Sequence, residues 1–146
     1  MNARTSLERQ WAGLIVRQPA ARFVLTKWLR SYGIEPHWLH FDDPHAALII
    51  QAVIELRAMH GQHVTIENVA QFVGERDFTL TTDEAARLVR DLVENVSEDV
   101  DVERMALSVL DSMHITFPEH EVNEYLADPY GLRAERMKAR KVKVAR

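Results

Sequence analysis

Residues 41–70, FDDPHAALIIQAVIELRAMHGQHVTIENVA, predict a buried helix, a tight turn and the capped start of a second helix. Asp43 can accept hydrogen bonds from the free N–H groups of a first helical turn, and Pro44 has a φ suited to the first helical position. Apolar residues then recur at three- and four-residue steps until little of the circumference is polar. They are Ala46, Leu48, Ile49, Ile50, Ala52, Val53, Ile54, Leu56 and Met59. We expect this helix in the middle of a bundle, with Gly61 at its end and Thr65 as the next N-cap.

Helical patterns also precede this segment. Thr5 and Glu8 have the spacing of a capping box, and the first helix is expected to end at Pro19. A second helix is expected over residues 20–31, closed by Gly33. The side chains predicted to face the core are Leu7, Trp11, Leu14 and Ile15 in the first helix and Phe23, Val24, Trp28 and Leu29 in the second.

Further helical patterns follow the glycine turn. We expect helices over residues 66–73, 82–95, 102–114 and 119–127, and a last one that starts after Asp128 and Pro129. Gly74 should end the first of these, and Thr81 with Glu84 has a second capping-box spacing. No segment alternates with period two over six residues, as a half-buried strand would. The chain is therefore predicted to be all-α, a compact bundle of about six helices followed by a helical hairpin and a basic C-terminal tail.

Length and composition suit a soluble protein with a sizeable core. The chain has 146 residues, of which 47% are hydrophobic and 27% charged. We expect a helical domain over residues 1–98, a hairpin or dimerisation extension over 99–132 and a tail over 133–146. No run of 18 apolar residues and no secretory signal is present, so a cytoplasmic location without membrane contact is expected. Cysteine is absent, which excludes disulfides, thiol catalysis and thiolate metal sites.

Charge is unevenly distributed along the chain. The net charge is −4, but residues 133–146 carry +6 and residues 1–132 carry −10. A charged C-terminus is most often a solvated helix end. The alternative is a contact with nucleic acid or with an acidic protein face. The residues for such a contact are Arg133, Arg136, Lys138, Arg140, Lys141, Lys143 and Arg146.

Motifs that carry chemistry are missing from the sequence. None of the five glycines forms a phosphate-binding loop, and no serine has the context of a nucleophile elbow. His37, His40 and His45 lie near Asp42 and Asp43 in a composition that can ligate zinc, although simple hydrogen bonding of the imidazoles is the stronger interpretation. An acidic group, Glu94, Glu98, Asp99, Asp101 and Glu103, is expected to be a solvated loop. We predict no catalytic residue, no cofactor and no bound metal.

Three segments share their order and spacing with one known family. LERQWAGLIVRQPAARF, residues 7–23, resembles the opening helix of the N-terminal domain of DnaB-type replicative DNA helicases, with matches at Glu8, Gly13, Leu14, Ile15 and Pro19. Residues 41–61 resemble the next segment of that domain, which has an aromatic residue, a Pro-His pair, an apolar helix and a closing glycine. The matches there are Phe41, Pro44, His45, Ile49, Ile50, Val53, Leu56 and Gly61. VTIENVAQFV and LVRDLVENV match the next two helices in position and polarity.

The resemblance covers residues 7–98 and, more loosely, the helices up to about residue 130. Thr65 stands where the family usually has an aspartate, and the glycine-containing turn before the fifth helix is missing. The 146 residues also contain no counterpart of the family's RecA-like ATPase domain. In the family the N-terminal domain, which this chain resembles, forms the collar of the helicase hexamer, where primase and some loaders dock. The resemblance implies a non-enzymatic replication protein that binds a replicative helicase or primase, as loader, accessory factor or inhibitor, in bacteria or phage.

The helices over residues 102–127 contain more apolar residues than packing on one core requires. This surplus predicts that they self-associate as a homodimer. The residues expected in that interface are Met105, Val109, Leu110, Met113, Val122 and Leu126. Two other classes of function stay open. One is a small helical DNA-binding or regulatory protein that uses the basic tail, and the other is an enzyme with a histidine-carboxylate metal site.

Overall fold

A computed structural model describes residues 2–36, 39–60 and 64–127, and all regular structure in these ranges is helical. Its seven α-helices are α1 (Ala3–Arg17), α2 (Arg22–Ser31), α3 (Pro44–His60), α4 (Ile66–Arg76), α5 (Thr82–Glu94), α6 (Val102–Ser112) and α7 (Glu119–Ala127). A single-turn 3₁₀ helix, Pro19–Ala21, joins α1 to α2. The described residues contain no β-strand, which confirms the all-α prediction. The helices fall into two compact units, Met1–His114 with α1 to α6 and Ile115–Arg146 with α7.

Helix α1 lies at the centre of the first unit. It contacts α3, α5 and α6, and every residue from 11 to 16 is buried. The prediction that α3 lies in the middle of the bundle is therefore wrong. α3 packs mainly against α1 and α4 through one face, and its Ile54 and Met59 are 43% and 75% exposed. An apolar circumference does not show which faces will be covered, because that depends on the neighbouring helices.

Close packing of α1 against the end of α5 depends on Gly13. A Cβ atom placed there would overlap the carbonyl oxygen of Leu92 and lie 2.7 Å from its carbonyl carbon. It would also lie 3.0 Å from Cγ2 of Val96. Since no side chain fits, the two backbones approach each other directly at this position.

Side-chain caps fix the starts of most helices. Asp43 accepts a hydrogen bond from the N–H of Ala46 at 2.9 Å, so α3 starts at Pro44 as predicted. Thr65 caps α4, and Thr81 with Glu84 forms the predicted capping box at α5. The other predicted box is wrong. Asn2 caps α1 and accepts from the N–H of Thr5, while Glu8 turns towards a different part of the chain.

Helix ends follow proline and glycine signals only in part. α1 ends at Arg17, two residues before Pro19, and Gly33 follows α2 with a positive φ of 73°, as expected. Gly74 does not end α4, which continues to Arg76. The predicted stop at Gly61 and the predicted last helix after Asp128 lie outside the described residues.

The two helices α2 and α6 pack against each other in the first unit. Trp28 and Leu29 are buried as predicted, but Phe23 is 47% exposed, so its inward assignment is wrong. α6 also contacts α1, whereas the sequence interpretation placed it in a hairpin beyond residue 98. Its Val109 and Leu110 are fully buried and complete the core around α1.

Candidate interaction surface

Two arginines share one exposed aromatic ring where α2 meets α3. Arg22 and Phe23 are the first two residues of α2, and Arg57 lies in the last third of α3. The guanidinium carbon of Arg22 lies 4.7 Å from the centroid of the Phe23 ring, and that of Arg57 lies 5.3 Å from it. Both distances are typical of cation–π contacts. We call these three residues the Arg22–Phe23–Arg57 cluster.

Neither guanidinium of the cluster has an acidic partner among the described residues. Some other arginines of the first unit do have one: Arg4 pairs with Glu8 and Asp42, Arg9 with Asp43, and Arg104 with Asp101. The Nε atom of Arg22 is buried and has no hydrogen-bond partner. Burial and the nearby positive charge of Arg57 lower the pKa of Arg22. The cluster therefore holds two like charges together, and no acidic side chain of the described residues pairs with them.

Apolar surface continues from the cluster along α3. Ile54 lies one turn before Arg57 and is 43% exposed, and Ala58 and Met59 are also exposed. The same side of α3 also carries Gln51 and Glu55, and the Glu55 carboxylate pairs with Arg76 at 3.9 Å. An anionic group could accept hydrogen bonds from the two guanidiniums while an apolar neighbour lies on Phe23 and Ile54.

A buried carboxylate joins α1 to the start of α3. Glu8 is fully buried and accepts hydrogen bonds from the N–H groups of Asp42 at 3.0 Å and Asp43 at 2.8 Å. Arg4 donates to it at 3.2 Å. Asp43 in turn accepts two bonds from Arg9, at 3.0 and 3.2 Å. Because each carboxylate accepts three hydrogen bonds inside the fold, this network links α1 to the start of α3.

The histidines of the proposed metal cluster have separate roles. His45 lies 3.3 Å from a carboxylate oxygen of Asp77 at the end of α4, and the carbonyl oxygen of His40 accepts from Arg4 at 2.7 Å. His37 lies outside the described residues. Within the part of the chain that the structure describes, no group of three or more histidine and acidic side chains could hold a metal ion.

Hydrogen bonds to Asp77 fix the turn between α4 and α5. The Thr79 hydroxyl donates to the Asp77 carboxylate, and the Thr79 N–H donates to the same oxygen at 3.0 Å. These two bonds, together with the imidazole of His45, hold the pKa of Asp77 below its usual range. Phe78, which lies between Asp77 and Thr79 in the sequence, is 91% exposed.

The residues predicted for self-association divide into two groups. Val109 and Leu110 belong to the core of the first unit and are not accessible to a second copy, so their assignment to a dimer interface is wrong. Met105 and Met113 in the first unit and Val122 in the second are half-buried, and the side chain of Leu126 lies outside the described part. Dimerisation itself stays a prediction.

The charged segments that the sequence singled out are only partly described. The tail contacts Arg133, Arg136, Lys138, Arg140, Lys141 and Lys143 lie outside the described residues. In the acidic group, Glu94, Glu98 and Asp99 are exposed as expected. Asp101 has a role that the sequence interpretation missed, because its side chain caps α6 through the N–H of Arg104 at 3.2 Å.

One groove of the first unit lies between α1 and the end of α5. It has a volume of about 310 Å³, and its described lining is Ser6, Arg9, Gln10, Leu92, Asn95 and Val96. The charged group in this lining, Arg9, is already paired with Asp43. The groove therefore offers less for binding an anion than the cluster on α2 and α3.

Sequence reasoning did not find the Arg22–Phe23–Arg57 cluster. Phe23 was assigned to the core from the helical period, and 34 residues separate it from Arg57 along the chain. The available signal was weak: Arg57 is the one arginine or lysine of α3. Comparison of the chain with models of protein families, with curated proteins and with solved structures finds no match. In the described ranges, no helix has both the length and the apolar character that crossing a membrane requires.

Proposed function

We propose that this chain is a non-enzymatic interaction module of DNA replication that binds a replicative helicase or a primase. The observation that carries the proposal is the Arg22–Phe23–Arg57 cluster, in which two cations without an acidic partner among the described residues lie on an exposed ring. Arginine and aromatic side chains are the residues that most often dominate the energy of protein interfaces. Such a surface is suited to a protein partner.

The resemblance to the helicase N-terminal domain supports the class of partner. Glu8, Gly13 and Pro44, which carry part of that resemblance, all act where α1 meets α3 or α5. They maintain the arrangement of the helices, and the surface of α2 and α3 depends on that arrangement. In the helicase family the corresponding domain is the place where primase and some loaders dock, so the sequence resemblance supports a partner from that assembly.

Affinity purification of the tagged chain from its host, followed by mass spectrometry, tests this proposal. A replicative helicase or a primase is expected as the dominant partner. A DNA-unwinding assay with that partner then separates a loader or accessory factor, which raises the rate, from an inhibitor, which lowers it. Recovery of neither enzyme would contradict the proposal.

A DNA-binding or regulatory role for the basic tail is the second candidate. It is favoured by the +6 charge of residues 133–146, against −10 for the rest of the chain. Deletion of residues 133–146 should then abolish binding to duplex or single-stranded DNA, and the affinity of the full chain should fall steeply with salt. An unchanged affinity after the deletion would rule out this role.

A further inference from the structure

We propose that Arg22 and Arg57 bind a carboxylate of an acidic segment in the protein partner, and that an apolar residue next to that carboxylate lies on Phe23 and Ile54. This inference rests on the proposed function and names the chemistry of the partner at its docking site. The segment is one in which aspartate or glutamate alternates with leucine, isoleucine, valine or phenylalanine.

The geometry supplies guanidinium donors that no carboxylate in the described part of the chain uses. The two guanidiniums contact the same ring at 4.7 and 5.3 Å, and no carboxylate of the described residues pairs with either of them. The buried Nε of Arg22 is a donor without an acceptor. A guanidinium presents its donors as a planar fork that fits the two oxygens of a carboxylate. A carboxylate bound at the outer nitrogens of the two guanidiniums would offset the repulsion between the two arginines.

The apolar surroundings favour an acidic protein segment over a nucleic acid. Phe23 and Ile54 are 47% and 43% exposed, and Met59 further along α3 is 75% exposed. This surface can contact aliphatic side chains of a protein partner, and a phosphate backbone has no such groups. Residues 1–132 also carry a net charge of −10, which repels a polyphosphate more strongly than a segment with one or two carboxylates.

Removal of the arginines should leave the fold intact. Neither guanidinium makes an ion pair with the described residues, and Arg57→Gln also removes the repulsion from Arg22. We therefore expect Arg57→Gln to unfold at the same temperature as the wild type or slightly higher. A loss of binding in this variant would then report the contact with the partner and not a loss of structure.

Isothermal titration calorimetry of the full chain against purified host helicase and purified host primase tests the inference. The variants are Arg57→Gln and Arg22→Gln, and the matched control is Arg90→Gln on the exposed side of α5. Each cluster variant is expected to weaken binding about tenfold or more, because a charge-assisted hydrogen bond is lost. Arg90→Gln is expected to bind as the wild type does. Among overlapping 15-residue peptides of the enzyme that binds, those that contain both acidic and apolar residues should bind the wild-type chain. The same peptides should not bind Arg57→Gln.

The possible results separate this inference from the proposed function. If the wild type binds an enzyme and both cluster variants bind it equally well, the carboxylate site is refuted and the proposed function stands. If the wild type binds neither enzyme, the proposed function fails and the site fails with it. If the variants lose affinity for a 20-nucleotide single strand of DNA but keep it for the enzyme, the cluster is a phosphate site and the inference is overturned.

Discussion

At the scale of single residues, Glu8 carries the main long-range polar contact of the first unit. Its carboxylate is fully buried and receives the N–H groups of Asp42 and Asp43, which lie 34 and 35 residues away, as well as the guanidinium of Arg4. A buried carboxylate without donors would destabilise the fold by several kcal/mol. The three donors make Glu8 a stabilising link between α1 and the segment that starts α3.

Glu8→Gln should lower the free energy of unfolding by about 2–3 kcal/mol. The amide has one acceptor oxygen in place of two, so one of the two backbone N–H groups loses its partner, and the charge pair with Arg4 is lost as well. Urea denaturation followed by circular dichroism measures the change. Glu98→Gln, at an exposed position between α5 and α6, is the control and should be neutral. A change below about 0.5 kcal/mol in Glu8→Gln would show that the network contributes little.

Asp77 should give the fold part of its dependence on pH. The hydroxyl of Thr79, its N–H and the imidazole of His45 hold the pKa of Asp77 below its usual range in the folded state. A lowered folded-state pKa means that this stabilisation is present above about pH 4 and is lost as the pH falls through the lowered value. Asp77→Asn should therefore be less stable than the wild type at pH 7, and the difference should narrow below about pH 4.

Urea denaturation of both proteins at intervals from pH 7 to pH 2 checks this dependence. Asp91→Asn on the exposed side of α5 is the matched control for the loss of a surface carboxylate. A stability difference between the wild type and Asp77→Asn that stays constant over the whole range would contradict the assignment of the pKa shift to the folded state.

At the scale of helices, three of the local cap signals are confirmed, whereas the long-range contacts could not be predicted. Asp43, Thr65 and Thr81 were identified as caps because each cap and its partner N–H lie three residues apart. Thr5 and Glu8 have the same spacing, but Glu8 bonds to a distant segment, and spacing carries no information on such contacts. The central position of α1 in place of α3 has the same cause. Apolar periodicity predicts a helix and not its neighbours.

The two helical glycines Gly13 and Gly74 should respond in opposite directions to alanine. At Gly13 a Cβ would overlap the carbonyl group of Leu92, so α1 and α5 must move apart, and we expect Gly13→Ala to destabilise the fold by about 1–3 kcal/mol. At Gly74 a Cβ would lie 3.8 Å from Cβ of Ala85, an ordinary contact. Gly74→Ala should stabilise α4 by about 0.5–1 kcal/mol through the higher helix propensity of alanine.

Thermal and urea unfolding of this pair of variants test the packing of α1 on α5 with the same chemical change at both positions. Equal effects at the two glycines, in either direction, would contradict the close approach of α1 to Leu92. A higher stability of Gly13→Ala than of the wild type would contradict it as well, whatever the result at Gly74.

At the scale of the whole molecule, the proposed function depends on a surface that is exposed among the described residues. Residues 1–132 carry −10, and the Arg22–Phe23–Arg57 cluster is a local exception to that charge in the first unit. Composition predicted the acidic body and the helical class, since both follow from residue counts and periodicity. The cluster could not be predicted, because it forms only when α2 and α3 bring Phe23 and Arg57 together.

Formation of a complex with a replicative helicase or primase tests the central claim most directly. The full chain is mixed at about 10 μM with each purified host enzyme and analysed by size-exclusion chromatography with light scattering. This concentration is well above a dissociation constant of about 1 μM, so a specific interface would be occupied. We predict that the chain elutes with at least one enzyme at the mass of a complex, and that Arg57→Gln reduces this fraction while Arg90→Gln does not. Elution of the wild-type chain apart from both enzymes would contradict the account.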